Sequence, residues 1–270
     1  MQYTMFPSFN DPRNGQILSL GILLLFGMTV LEFQTTLPII ATILSTALLT
    51  QWLGLKRFRA PDSSMKSGLI TALSLCLLLR VTEPIYAALS AILAIGSKFV
   101  LRHRDGHIFN PANLGIVLPA VVLDEVWISP GQWGTAPWLV FLIACLALVV
   151  LPRARSYDIS LAFLGCYALL LFGRATWLGD PMVIPLHQLQ SGALLLFAFF
   201  MISDPKTIPA HRGARILFAL AIAILAYIFR FGFYTPEGLL YALTLLAPVS
   251  IILNRMLPSP AYQWPQRSPS

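Results

Sequence analysis

Lys66-Ser67-Gly68-Leu69-Ile70-Thr71-Ala72-Leu73-Ser74-Leu75-Cys76-Leu77-Leu78-Leu79-Arg80 is an apolar run with a cation at each end, and its reading decides the fold. Thirteen residues separate the two cations. As a helix they reach about 20 Å, against a bilayer hydrocarbon core of about 30 Å. The run either snorkels at both ends or crosses only part of a membrane. A similar run opens with Ser191-Gly192-Ala193, 124 residues after Ser67-Gly68-Leu69.

The rest of the chain makes a membrane the natural frame. It has 270 residues, 57% hydrophobic and 11% charged, with a mean hydropathy of +0.76. Soluble domains carry about 25% charged residues, so this chain cannot cover its surface with charge. Ten apolar segments follow one another, at 15–33, 36–54, 67–80, 84–101, 109–124, 137–152, 159–173, 188–203, 214–233 and 237–254. Pro, Gly and charge clusters separate them. Backbone groups in lipid need internal partners, so the segments are read as helices. The first is not read as a cleavable signal: only Arg13 precedes it and no small-x-small site follows.

The expected fold is therefore all-α and polytopic, a single transmembrane domain over 1–258 with a disordered cytoplasmic tail at 259–270. Runs three and eight occupy equivalent places in a five-plus-five duplication. An odd number of helices per half makes the halves inverted, roughly 15–130 and 137–254. Short, small-residue-rich segments at matching positions of such halves mark a central binding site. Ser-Gly before an apolar run is also common by chance, so the repeat competes with coincidence.

Charge gives the orientation. With both termini on one side, that side holds 15 of the 18 Lys and Arg, and Arg80, Arg174 and Arg230 fall on the other. The positive-inside rule makes the basic face cytoplasmic. The net charge of +7 is thus an orientation signal, and no nucleic-acid partner is expected. Cys76, Cys145 and Cys166 sit singly in apolar runs with no CxxC pair, and of the four histidines only His103 and His107 are four apart, with no cysteine near them, so no zinc or iron–sulfur site is expected. No Walker loop, GxGxxG or nucleophile triad occurs.

Two polar clusters remain. Asn110-Pro111 opens the fifth segment, with His107 three residues before and Asn113 three after. Asn caps helices well and Pro suits the first helical position, so capping alone is one reading. The other is a ligand site, in which amide and imidazole groups read the donor–acceptor edge of a flat heterocycle. Asp204-Pro205-Lys206-Thr207 follows the eighth segment, with His211, Arg212 and Arg215 behind it. It is either a loop with local ion pairs or a phosphate or flavin contact.

Phe109-Asn110-Pro111-Ala112, with Ser97-Lys98 upstream and Gly106 before His107, resembles the RnfD/NqrB family, the large membrane subunits of Rnf and sodium-pumping NADH:quinone oxidoreductase complexes. The resemblance continues through Ser191-Gly192-Ala193, Phe199, Asp204-Pro205-Lys206-Thr207 and Arg212-Gly213-Ala214-Arg215-Ile216-Leu217-Phe218, and covers roughly residues 65–255. It implies ten helices in two inverted halves and partner redox subunits in a bacterial inner membrane. It also implies a flavin phosphate on a Thr of an outer Ser-Gly-Ala-Thr motif, and a non-covalent riboflavin near the Asn-Pro-Ala turn. The outer loop here reads Asp124-Glu125-Val126-Trp127-Ile128-Ser129-Pro130-Gly131-Gln132-Trp133-Gly134-Thr135-Ala136. Thr135 is the nearest threonine and the motif is absent, so no covalent FMN is expected. The implied role is electron transfer through a non-covalent riboflavin or FMN, with or without coupled ion transport. His107, Asn110, Asn113, Ser191, Asp204 and Lys206 are its candidate contacts. A transporter or channel on the same fold, without the redox role, is the alternative.

Overall fold

The computed structural model describes residues 11–58, 64–103, 106–154 and 156–260. Most of them are helical, and each of the ten apolar segments holds a helix or a broken pair: α1 (Pro12–Thr29), α2 (Leu37–Phe58), α3 (Met65–Leu78), α4 (Pro84–Val100), α5 (Pro111–Val122), α6 (Pro137–Ala154), α7 (Tyr157–Leu178), α8 (Val183–Leu189) with α9 (Gly192–Leu196), α10 (Arg212–Gly232), and α11 (Gly238–Leu246) with α12 (Val249–Met256). After α9 the chain widens into a π-helical turn, Phe197–Met201. Almost all of the tail expected to be disordered, from residue 261 on, lies outside the described residues.

Local chemistry sets the ends. Asp11 and Asn110 each stand before a Pro at the first helical position, and their side chains accept from Arg13 N and Asn113 N, both at 3.0 Å. Lys56 and Arg57 close α2, where cations meet the helix dipole. Gly179 ends α7 with φ at 73°, a conformation glycine adopts without strain.

Among the described residues, α2, α7 and α10 are long and apolar enough to cross a membrane. Two broken pairs, α8 with Gly192–Met201 and α11 with α12, bend by 48° and 47° and each pass as one span. The protein is a multi-pass membrane protein with three to five spans by length and composition, fewer than the ten segments expected. Much of the difference is length: α3, α4 and α5 have 14, 17 and 12 residues. The all-α expectation is adjusted too. Short strands pair as β1 (Leu79–Val81) with β4 (Val126–Ile128), and β2 (Arg102–His103) with β3 (Gly106–His107), both antiparallel. Where α3 stops short, β1 takes over, and its backbone groups find partners on β4 rather than in lipid.

The packing order recurs along the chain. In the first five segments α1 packs on α3, α2 on α3 and α4, and α4 on α5. In the second five α6 packs on α9, α7 on Phe197–Met201 and α10, and α10 on α11. Between the sets α1 meets α6 and α5 meets α11. The α4–α5 contact is very close: a Cβ on Gly115 would stand 2.4 Å from Ala94 Cβ and 2.8 Å from the Ser90 carbonyl.

Candidate functional site

The two polar clusters meet in one cleft. Ser67, Ile70, Thr71 and Ser74 of α3 line it, with Lys98 at the end of α4, Arg102 and His107 of the β2–β3 hairpin, Asn110 at the start of α5, and Phe200, Met201, Asp204 and Lys206 after α9. Arg13 and Gln16 of α1 complete the wall. The start of the third segment and the end of the eighth thus share this cleft. The start of the eighth lies elsewhere: Gly192 N donates to Gly134 O at 3.1 Å, and a Cβ on Gly192 would meet Trp133. Segments three and eight run in opposite directions.

Each lining group has a structural reason for its place. The hairpin register sets Arg102 opposite His107 and His103 opposite Gly106. Gly106 lets the hairpin lie on the Asp204–Lys206 turn, since a Cβ there would stand 2.7 Å from the Lys206 carbonyl. Lys98, 1% exposed, donates to the Ser67 carbonyl at 2.8 Å and to Ser67 Oγ at 3.2 Å, with Gln51 Oε1 at 3.5 Å. Asp204 Oδ1 accepts from Lys206 N at 3.1 Å.

Charge in the cleft is mostly positive. Burial holds the His107 imidazole down, and Lys98, Arg102 and Lys206 push the same way, to about 3. The ring is neutral at any physiological pH. Burial also raises the Asp204 carboxyl, against the Lys206 N–H and the Lys98 and Lys206 charges. Arg102 Nη1 and His107 Nδ1 are buried without a hydrogen-bond partner among the described residues.

Of the six candidate residues, His107, Asn110, Asp204 and Lys206 line the cleft. Asn113 and Ser191 do not. The Asn113 amide donates to the Leu240 carbonyl at 3.0 Å and to Thr244 Oγ1 at 2.7 Å, which fastens α5 to α11. Ser191 stands at the far end of its segment, beside the loop that holds Trp133. Asn110 is committed to the scaffold as well: its Oδ1 caps α5, and its Nδ2 donates to the Met201 carbonyl at 3.1 Å. Asn110→Asp keeps the cap but sets a carboxylate against that carbonyl. It should lower stability by about 1–3 kcal/mol, read as the midpoint of denaturation in mixed detergent. An aspartate variant as stable as wild type would mean the Met201 bond contributes nothing. Sequence reasoning misses Lys98 and Arg102 as site residues: Arg102 counts there only as an orientation charge, and Lys98 only as that and as part of the Ser97-Lys98 resemblance. A lysine inside the apolar run Pro84–Val100 is the available signal.

Over residues 120–262 the sequence matches the NQR2, RnfD, RnfE family, more than half of the chain. The chain belongs to that family. Ser191, Asp204 and Lys206 fall within the matched residues, whereas Lys98, Arg102, His107 and Asn110 precede them. Curated relatives similar to this chain include an ion-translocating oxidoreductase complex subunit of Pseudomonas paraeruginosa, 29% identical over 256 residues, or 70% of this chain and 73% of that protein. The protein of the same name from Alcanivorax borkumensis is 40% identical over 126 residues, 43% of this chain and 35% of that protein. Its namesake from Cellvibrio japonicus is 28% identical over 144 residues, 50% of this chain and 39% of that protein. In the last two pairings the match spans well under half the relative's length.

Proposed function

We propose that this NQR2, RnfD, RnfE family member is the membrane subunit of an electron-transport complex and carries electrons through a non-covalent flavin held in the cleft. The observation that carries the reading is the pair of unsatisfied polar atoms, Arg102 Nη1 and His107 Nδ1, in a cleft lined by both halves of the chain. Buried polar atoms without partners are rare and call for a ligand or water. Bound there, a flavin would supply redox chemistry the side chains lack. Arg102, His107, Lys98 and Lys206 would hold its polar edge, and Ile70 and Phe200 would keep water from one face. The cleft offers about 60 Å³, room for several waters. Three fused rings need more, so Gln16 and its neighbours in the wall would turn aside on binding.

The mouth of the cleft lies among the cations that the positive-inside rule assigns to the cytoplasm. The recurrent packing order and the opposed directions of segments three and eight support two inverted five-segment halves, with the short helices as partial or tilted spans. The subunit would then sit in a bacterial inner membrane beside other redox subunits, with both termini cytoplasmic. Reporter fusions after Arg80 and after Arg174 should give the outer-side signal. A cytoplasmic signal at either site would overturn this topology.

Gently purified protein, with its partners, should show flavin absorbance that denaturation releases into solution. Thr135, exposed after the turn at Pro130–Trp133, carries no attachment motif, so a denaturing gel should show no fluorescent band. A band lost in Thr135→Val would refute the non-covalent reading. Absence of flavin bands in the native complex would end the redox reading. The small size of the cleft would then favour passage of a small solute or ion on the same fold.

A further inference from the structure

We propose that Arg174 and Arg230, near the ends of α7 and α10, bind the phosphate of an anionic phospholipid at the membrane face opposite the cleft. The inference is independent of what the cleft holds.

It begins with two helices that run side by side in one direction. Asp158, near the start of α7, takes Arg215, near the start of α10, at 2.7 Å. Near their other ends the Arg174 guanidinium lies 4.5 Å from the centroid of the Phe231 ring, and the Arg230 guanidinium 5.7 Å from the same centroid. From Asp158 to Arg174, and from Arg215 to Arg230, is about 22–24 Å of helix. Both helices are long and apolar enough to cross a membrane, so the second cluster stands at the water interface on the far side. With the topology proposed above, that is the outer side.

The cluster holds more cations than carboxylates. Its two guanidinium carbons are no farther apart than the sum of their distances to the shared ring, and like charges at that range repel unless an anion lies between them. Asp180 meets Arg174 at 3.4 Å, both side chains about one-third exposed. Arg230 is half-buried and forms no ion pair among the described residues. Two guanidinium groups and one carboxylate leave one positive charge unmatched.

The surroundings are those of a lipid interface. Trp177, three residues past Arg174, is 89% exposed, and Tyr234, four past Arg230, is 84% exposed. Amphipathic rings of this kind sit at headgroup level. Toward the membrane interior, Leu169 and Ile228 are exposed apolar side chains within two turns of the cations, where acyl chains would lie. Phosphate suits two guanidinium forks, which take its oxygens in pairs. The unmatched charge selects a lipid with one net negative charge over a zwitterionic lipid, whose amine cancels its phosphate.

The test is the thermal midpoint of the full-length protein in dodecyl maltoside micelles, with added phosphatidylglycerol or phosphatidylcholine. Phosphatidylglycerol should raise the wild-type midpoint by about 4 °C or more, and phosphatidylcholine by much less. Arg230→Gln should remove at least half of that rise, and Arg230→Lys, which keeps the charge, should retain part of it. Asp180→Asn, which frees Arg174 from its carboxylate, should enlarge the rise. Arg57→Gln, at the end of α2 on the cleft side, should leave it unchanged. Glycerol phosphate, the head group without chains, should give none. If Arg230→Gln does not fold, Asp180→Asn and Arg57→Gln decide. No rise, or equal rises with both lipids, overturns the proposal. So does a rise lost equally in Arg57→Gln and Arg230→Gln, which would place the lipid elsewhere, and a rise given by glycerol phosphate, which would make this a site for a soluble phosphate.

Discussion

Asp158→Ala should destabilise the protein by about 3–5 kcal/mol, the range for removing one partner of a buried ion pair. The Asp158 side chain is 7% exposed, at the start of α7. It receives Arg215 Nη2 at 2.7 Å and Arg215 Nε at 3.0 and 3.1 Å, a forked arrangement. Arg215 also donates to the Ala210 carbonyl at 2.8 Å, and Arg212 stands 3.9 Å from the same carboxylate. The alanine variant would leave a half-buried guanidinium against one carbonyl where α7 packs on α10. Mixed-detergent denaturation should show the loss as a lower midpoint. Replacing both partners, Asp158→Leu with Arg215→Met, should recover most of it, because no charge is then left unpaired. A single variant costing under about 1 kcal/mol would mean the pair behaves like an exposed one.

Gly115→Val should be the next most damaging change. Even alanine would set its Cβ 2.4 Å from Ala94 Cβ and 2.9 Å from Ala94 Cα, where backbone cannot yield. Overpacking of this kind costs about 1–3 kcal/mol, and valine adds two more carbons. The relief open to the helices is to move α5 away from α4. That movement would carry Asn110, at the head of α5, away from Met201 and distort the cleft. We expect lower stability and weaker flavin retention together. Gly96→Ala is the control on the facing helix, since a Cβ there meets nothing within 4 Å; it should be neutral or stabilising. If Gly115→Val matches Gly96→Ala, the two helices have room to spare at their contact.

Apolar periodicity places the helices well because burial in lipid or core demands nearly continuous apolar sequence. It cannot place the breaks. The eighth segment reads as one run, 188–203, yet the chain bends between Leu189 and Gly192, where Gly192 N turns to the Gly134 carbonyl. The break depends on a residue nearly sixty positions away. Pro248 is a visible cause for the break between α11 and α12. The shortness of the third segment is legible from its two cations, but not the pairing of Leu79–Val81 with Val126–Ile128. The candidate site is half legible. The Asn-Pro turn and the Asp204 loop stand out as polar groups in an apolar chain and do meet. Asn113 shares their spacing, yet its amide serves α11. Asp158 does not stand out, because a carboxylate beside an apolar run gives no sign of a partner 57 residues on.

A cleft whose walls come from both halves of the chain makes its occupant a tie between them. Any molecule that binds only when the third and eighth segments lie side by side adds its binding free energy to their docking. At a hundredfold excess over its dissociation constant that contribution is about 2.7 kcal/mol, comparable to losing the Asn110–Met201 bond. Assembly and loading of this protein are then a single equilibrium: a chain short of ligand would be one whose halves part more often, with the buried Lys98 and the half-buried Arg102 opened to water first.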